Sequence, residues 1–178
     1  TGRGECIALS YDNGKTFTPA ISFSKDGWVI NGCPHNGPAV AATDSRIYAT
    51  WFTGGQQKGV YYCEMNGKRE MLTRQLVSNQ GRFIQLFLLP DGARVLAYNE
   101  NRQESEKVYS KIVLNKIEND KIFRADIGPE KSMASYPVLL AYGEGKIIVA
   151  WSDNGKISYA PVDARAINTP IQRSSANN

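Results

Sequence analysis

The sequence has no long apolar run, no cluster of basic residues, no paired-cysteine motif and a single histidine among its 178 residues. Each shortage removes a class of protein. No stretch approaches the roughly 18–20 consecutive apolar residues that carry a helix through a bilayer, so no membrane span is expected. The 21 Lys and Arg are scattered among 17 Asp and Glu, for a net charge of +4. A protein that tracks a phosphate backbone gathers its cations, so nucleic acid is not an expected partner. Cys6, Cys33 and Cys63 form no Cys-x-x-Cys and no Cys/His spacing that would hold zinc; neither a metal nor another cofactor is expected. Being odd in number, they cannot all pair within one chain. Helical patterning is also scarce: only 103–118 invites a helix, and the alternation in "KVYSKIVL" argues for a strand. The opening "TGRGEC" has no basic segment followed by an apolar one, so no export signal is read there.

What is present is a succession of short alternating strands broken by Gly, Asn, Asp and Pro. Three segments share one plan of strand, polar turn, strand ending in an aromatic, polar loop, strand. They are "GPAVAATDSRIYATWFTGGQQKGVYYCEM", "RFIQLFLLPDGARVLAYNENRQESEKVYSKIVL" and "YPVLLAYGEGKIIVAWSDNGKISYAPV". Trp51, Tyr98 and Trp151 recur at equivalent points and are expected in the core. A period of roughly 45–50 residues with four short strands per unit is the spacing of propeller blades. The expected fold is therefore all-β, a propeller of about three and a half four-stranded blades. Their approximate limits are 1–30 (the second half of a blade), 36–80, 81–130 and 134–164, with a polar tail over 165–178. "WSDNGKIS" reads as a plain Asn-Gly hairpin.

The stretch "SYDNGKTF" adds a motif. Ser10, Asp12, Gly14, Thr16 and Phe17 match Ser-x-Asp-x-Gly-x-Thr-aromatic at every defined position. Asp12 can accept bonds from turn amides, Gly14 can supply positive φ, and Phe17 is expected to pack beneath. The pattern resembles the Asp-box (BNR) repeat of sialidase-like propellers, where it joins the third and fourth strands of a blade. "NGCPHNGPAV" followed by "YATWFTGGQQKGVYY" resembles the loop and blade that follow an Asp box in predicted bacterial exo-α-sialidase-like proteins. The resemblance implies a six-bladed ring, a carbohydrate ligand, possible sialoside hydrolysis and an exported bacterial protein. Sialidases of this kind use a Tyr paired with Glu as nucleophile, an Asp acid/base and three Arg; a Tyr nucleophile is a known exception among glycosidases. The Arg-Ile-Pro motif that supplies one of those arginines is absent, so the catalytic set is incomplete. The competing reading is a non-catalytic propeller that binds glycans or proteins.

Propeller geometry puts ligands on the face built by loops from strand four to the next strand one and from strand two to strand three. The first set holds Cys33, His35 and Asn36, then Arg82, then Ser135 and Tyr136. The second holds Gln56 and Gln57, then Asn99, Glu100 and Arg102, then Asp153 and Asn154. Ligand-binding candidates are His35, Asn36, Arg82, Asn99, Arg102 and Asp153, with converging arginines suited to an acidic sugar's carboxylate. Catalytic candidates are Tyr136, if a carboxylate lies against it, and Glu100. An open arc of blades leaves end strands and apolar faces uncovered, so self-association or a partner fragment that completes the ring is expected. A closed four-bladed ring is the structural alternative.

Overall fold

The computed structural model describes residues 2–33 and 35–170. Among these the chain forms antiparallel sheets with no α-helix, and no helix is long and apolar enough to cross a membrane. It divides into two compact units, Thr1–Asn79 and Gln80–Asn178.

In the first unit, β1 (Gly2–Arg3) pairs with β4 (Trp28–Val29), and β2 (Cys6–Ile7) pairs with β3 (Ile21–Ser22). A four-stranded meander follows: β5 (Ala39–Ala42), β6 (Arg46–Thr53), β7 (Gly59–Asn66) and β8 (Met71–Ser78). Ile47, Ala49 and Trp51 on β6 and Tyr61, Cys63 and Met65 on β7 share one face by the two-residue strand period. They are buried together with Ile7, Leu9 and Phe23 packed on them. Trp51 stacks on Tyr61 at 5.5 Å and meets the edge of Phe23 at 5.4 Å.

The turn between β2 and β3 is closed by side chains. Asp12 accepts bonds from the Thr16 amide (2.9 Å), the Thr16 hydroxyl (2.7 Å) and the Ser10 hydroxyl (2.8 Å), while Ser10 Oγ accepts the Gly14 amide at 2.7 Å. Asn13 and Gly14 have φ of 60° and 82°. Two expectations change here. The flanking strands are only two residues long, because Pro19 has no amide to give to a ladder and pairing contracts to Leu9 and Thr18. Phe17 does not pack beneath the turn; its ring is 65% exposed. Thr18 is the residue tied across to Leu9, and strand alternation turns its neighbour outward.

The second unit holds two meanders. The first comprises β9 (Gly81–Leu88), β10 (Arg94–Glu104), β11 (Lys107–Glu118) and β12 (Lys121–Ile127). The second comprises β13 (Ala134–Gly143), β14 (Lys146–Asp153) and β15 (Lys156–Asp163). They pack face to face, with Val95, Ala97, Ile112 and Leu114 of one meeting Ile147, Val149 and Trp151 of the other. Asn154 and Gly155, both at positive φ, make the two-residue turn between β14 and β15.

Two segments differ from expectation. Asn99, Glu100 and Arg102 lie within a strand and not in a loop, because the β10–β11 ladder runs on to Glu104 opposite Lys107. Opposed pairs such as Glu104 with Lys107 and Arg102 with Tyr109 suit a ladder despite the polar composition. Residues 165–170, expected as the start of a polar tail, instead return along β12. Ala164 and Ile167 are buried, and the Arg124 amide donates to the Thr169 carbonyl at 2.8 Å. Residues 171–178 lie outside the described residues.

Candidate functional site

Fifteen or sixteen residues ahead of Trp51, Tyr98 and Trp151 stand His35, Phe83 and Tyr136, with φ of 52°, 53° and 54°. The left-handed region costs a non-glycine residue about 1–3 kcal/mol, and such residues gather at ligand sites. The three repeats thus place a similar backbone distortion near the start of each sheet, two residues inside the first strand for Phe83 and Tyr136 and four residues ahead of it for His35.

In the first unit this point opens on a cavity of about 320 Å³ lined by Arg3, Glu5, Trp28, Cys33, His35 and Asn36. Asn36 is buried and His35 exposed. Trp28 is held by the loop after β6. A Cβ on Gly54 would stand 2.7 Å from its indole nitrogen, and one on Gly55 would stand 2.1 Å from the Asp26 carbonyl oxygen, so only glycine permits this approach. Phe52 meets Trp28 edge-on at 5.6 Å. Glu5 is anchored through its main chain: its amide donates to Ser24 Oγ at 2.6 Å and its carbonyl accepts the Phe23 amide at 3.0 Å. Burial, and then the charge of Asp26, raise its carboxyl above the usual carboxylate range, against the lowering effect of Arg3. The cavity therefore offers an aromatic face, an amide, an imidazole, a guanidinium and a carboxyl that holds its proton unusually well.

In the second unit, Arg82, Asn99, Tyr136 and Asp153 come together at one end of the two sheets. Asn99 stands opposite Arg82 in the β9–β10 register, and Ala134 stands opposite Asp153. The Asn99 amide donates to Ser110 Oγ at 3.1 Å, which donates to the Ala134 carbonyl at 2.6 Å; the buried Asn99 Oδ1 has no partner among the described residues. Asp153 accepts the Met133 amide at 3.0 Å. Tyr136 is exposed and its ring lies 4.2 Å from that of Phe83, an aromatic neighbour and not a carboxylate. Arg102 reaches Glu130 at 3.8 Å.

Glu100 points elsewhere. Arg124 grips it with two bonds of 2.7 and 3.1 Å, and also donates to Asp126 at 2.8 Å; Lys111 bonds Asp126 from the other side. Burial opposes the charge on Asp126, but the bonds from Lys111 and Arg124 outweigh it and hold the carboxyl below its ordinary value. Arg124 stays protonated well above its ordinary range despite burial. Beside this network Asn115 donates to the hydroxyl of fully buried Tyr98 at 2.9 Å. A carboxylate fixed by a two-pronged guanidinium is a structural anion.

Reading by motif missed Glu5, Trp28 and Arg124. Trp28 follows Lys-Asp-Gly, which marks a turn and nothing more, and Glu5 sits in an unpatterned segment. No metal-binding cluster of three or more His, Cys, Asp or Glu occurs among the described residues.

No protein-family model matches the chain, and no curated protein matches it. Among solved structures it is similar to a thermostable family-43 glycoside hydrolase, with a TM-score of 0.53 and 14% identity over 99% of this chain and 73% of that one. A likeness at this identity concerns the fold. With the four-stranded antiparallel meanders, it places the chain among all-β proteins of propeller type.

Proposed function

We propose that the protein binds carbohydrate, at the cavity formed by Arg3, Glu5, Trp28, His35 and Asn36. The lining of that cavity carries the reading. An indole suits the apolar C–H face of a pyranose, and planar amide, imidazole and carboxyl groups suit its hydroxyls. A volume of about 320 Å³ lies at the small end of ligand pockets. The Asp-box resemblance makes acidic sugars the first ligands to try, with Arg3 facing the carboxylate. The glycoside hydrolase among the structural neighbours is consistent with sugar as the ligand class. The sialidase-like reading adds an exported location and makes the chain part of a six-bladed propeller.

Binding without turnover is favoured over hydrolysis. Most glycosidases use two carboxyls roughly 5–9.5 Å apart, and sialidases a tyrosine beside a carboxylate; the residues lining this cavity include one carboxyl, Glu5, and no tyrosine, while Glu100 is committed to Arg124. The test is a panel of fluorogenic glycosides that includes an α-sialoside, run beside saturation-transfer NMR with the free sugars. NMR transfer without fluorescence release supports the proposal. Turnover that Glu5→Gln abolishes converts it to a hydrolase.

A further inference from the structure

We propose that the outer face of sheet β13–β15 is a docking surface for a second copy of this chain. The inference rests on the sheet packing alone and is independent of the sugar reading. One face of this sheet, carrying Ile147, Val149 and Trp151, is covered by β9–β12. The register sets the opposite side chains on the other face: Val138 beside Ala150 beside Tyr159, Leu140 beside Ile148 beside Pro161, and Ile157 beside Ser152. Apart from Lys146 and Asp163 at one end and Ser152 at the other, that face is apolar, yet Val138, Leu140, Tyr142, Ile157 and Tyr159 are 57%, 62%, 52%, 78% and 72% exposed.

The area decides what the face can do. With up to roughly 200 Å² for each tyrosine, these five side chains present roughly 600 Å² of largely apolar surface. That is at the upper limit of what monomers leave uncovered and close to the about 800 Å² that each partner contributes to a stable interface. The packing of β9–β12 on the other side shows the geometry such a face accepts, a second antiparallel sheet laid on it. Stacking is favoured over edge addition, because β15 carries Pro161, which has no amide to extend a ladder.

The charges on this face do not oppose a second copy. Lys146 and Asp163 stand opposite each other at one end of it, one of each sign, so two copies stacked by a two-fold axis bring no excess of like charge together.

Light scattering on the 178-residue chain over about a hundredfold range of concentration tests this. The expected mass is twice 19.7 kDa. The double variant Leu140→Glu, Tyr159→Glu is expected to have the single-chain mass with an unchanged far-ultraviolet circular dichroism spectrum. Leu72→Glu, on an exposed strand of the first unit, is expected to remain dimeric. Because the double variant could fail to fold, a single change is the second arm. Ile157→Lys, at the most exposed of the five positions, is expected to weaken the dimer at least several-fold. A wild-type chain that stays monomeric throughout, a dimer indifferent to both sets of changes, or higher assemblies that ignore them would each overturn the proposal.

Discussion

Two residues show how far local surroundings set chemistry in this chain. Asp12 is exposed, yet the bonds from the Thr16 hydroxyl and amide, and then from Ser10, lower its carboxyl to about 2. An unfolded Asp titrates near 3.9, so the turn's stabilisation is complete above that value and is lost as pH falls toward 2. The Thr16 amide resonance is expected to shift over that window, and Asp12→Asn to remove the transition. Cys63 is the opposite case. Burial pushes its thiol up to about 11, while Cys6 and Cys33 are exposed. Two thiols are expected to react rapidly with a disulfide reagent at pH 8, and the third only after denaturation. Rapid modification of all three would contradict the burial of β7.

At the scale of the element, the side chains decide how far a strand runs. The alternation of apolar residues was sufficient to find the long strands, and the Asn-Gly pair to find the β14–β15 turn. The ends of strands were less legible. "NENRQESEK" is loop-like in composition, yet its charges pair across a hairpin and keep it in the ladder. Conversely, "TPAISF" is strand-like but loses its ladder at Pro19. The network beside Tyr98 belongs to this scale, since it joins β10, β11 and β12 through Glu100, Lys111, Arg124 and Asp126. Arg124→Ala leaves Glu100, whose side chain is 13% exposed, without this guanidinium. The expected loss is about 2–4 kcal/mol in chemical denaturation. Pairing it with Glu100→Gln is expected to cost less than the sum of the single changes. Full additivity would show that the two residues act separately.

For the whole molecule, the repeat in the sequence foretold sheets of blade type, and the likeness to a solved glycoside hydrolase agrees with it at the level of fold. The candidate site was legible only in part. His35 and Asn36 could be named because the repeat fixes where each sheet begins. Glu5 and Trp28 could not, since they reach the cavity through the two-residue pairings β1–β4 and β2–β3 and through Gly54 and Gly55. Those glycines supply a structural check: Gly55→Ala is expected to cost about 1–3 kcal/mol in thermal or chemical unfolding, as overpacking does, by forcing the loop away from Asp26. Glu5 supplies a chemical one. If its protonated carboxyl donates to a sugar hydroxyl, affinity falls as pH rises through its raised pKa, and Glu5→Gln flattens that dependence. The central claim, that the protein binds sugar in this cavity, is tested most directly by calorimetric titration of the wild type and of Trp28→Ala with sialic acid and with a panel of neutral monosaccharides. The account predicts saturable binding of at least one of these sugars that Trp28→Ala weakens tenfold or more while the fold is retained. Binding that Trp28→Ala leaves unchanged, or no binding by the wild type to any of them, would contradict it.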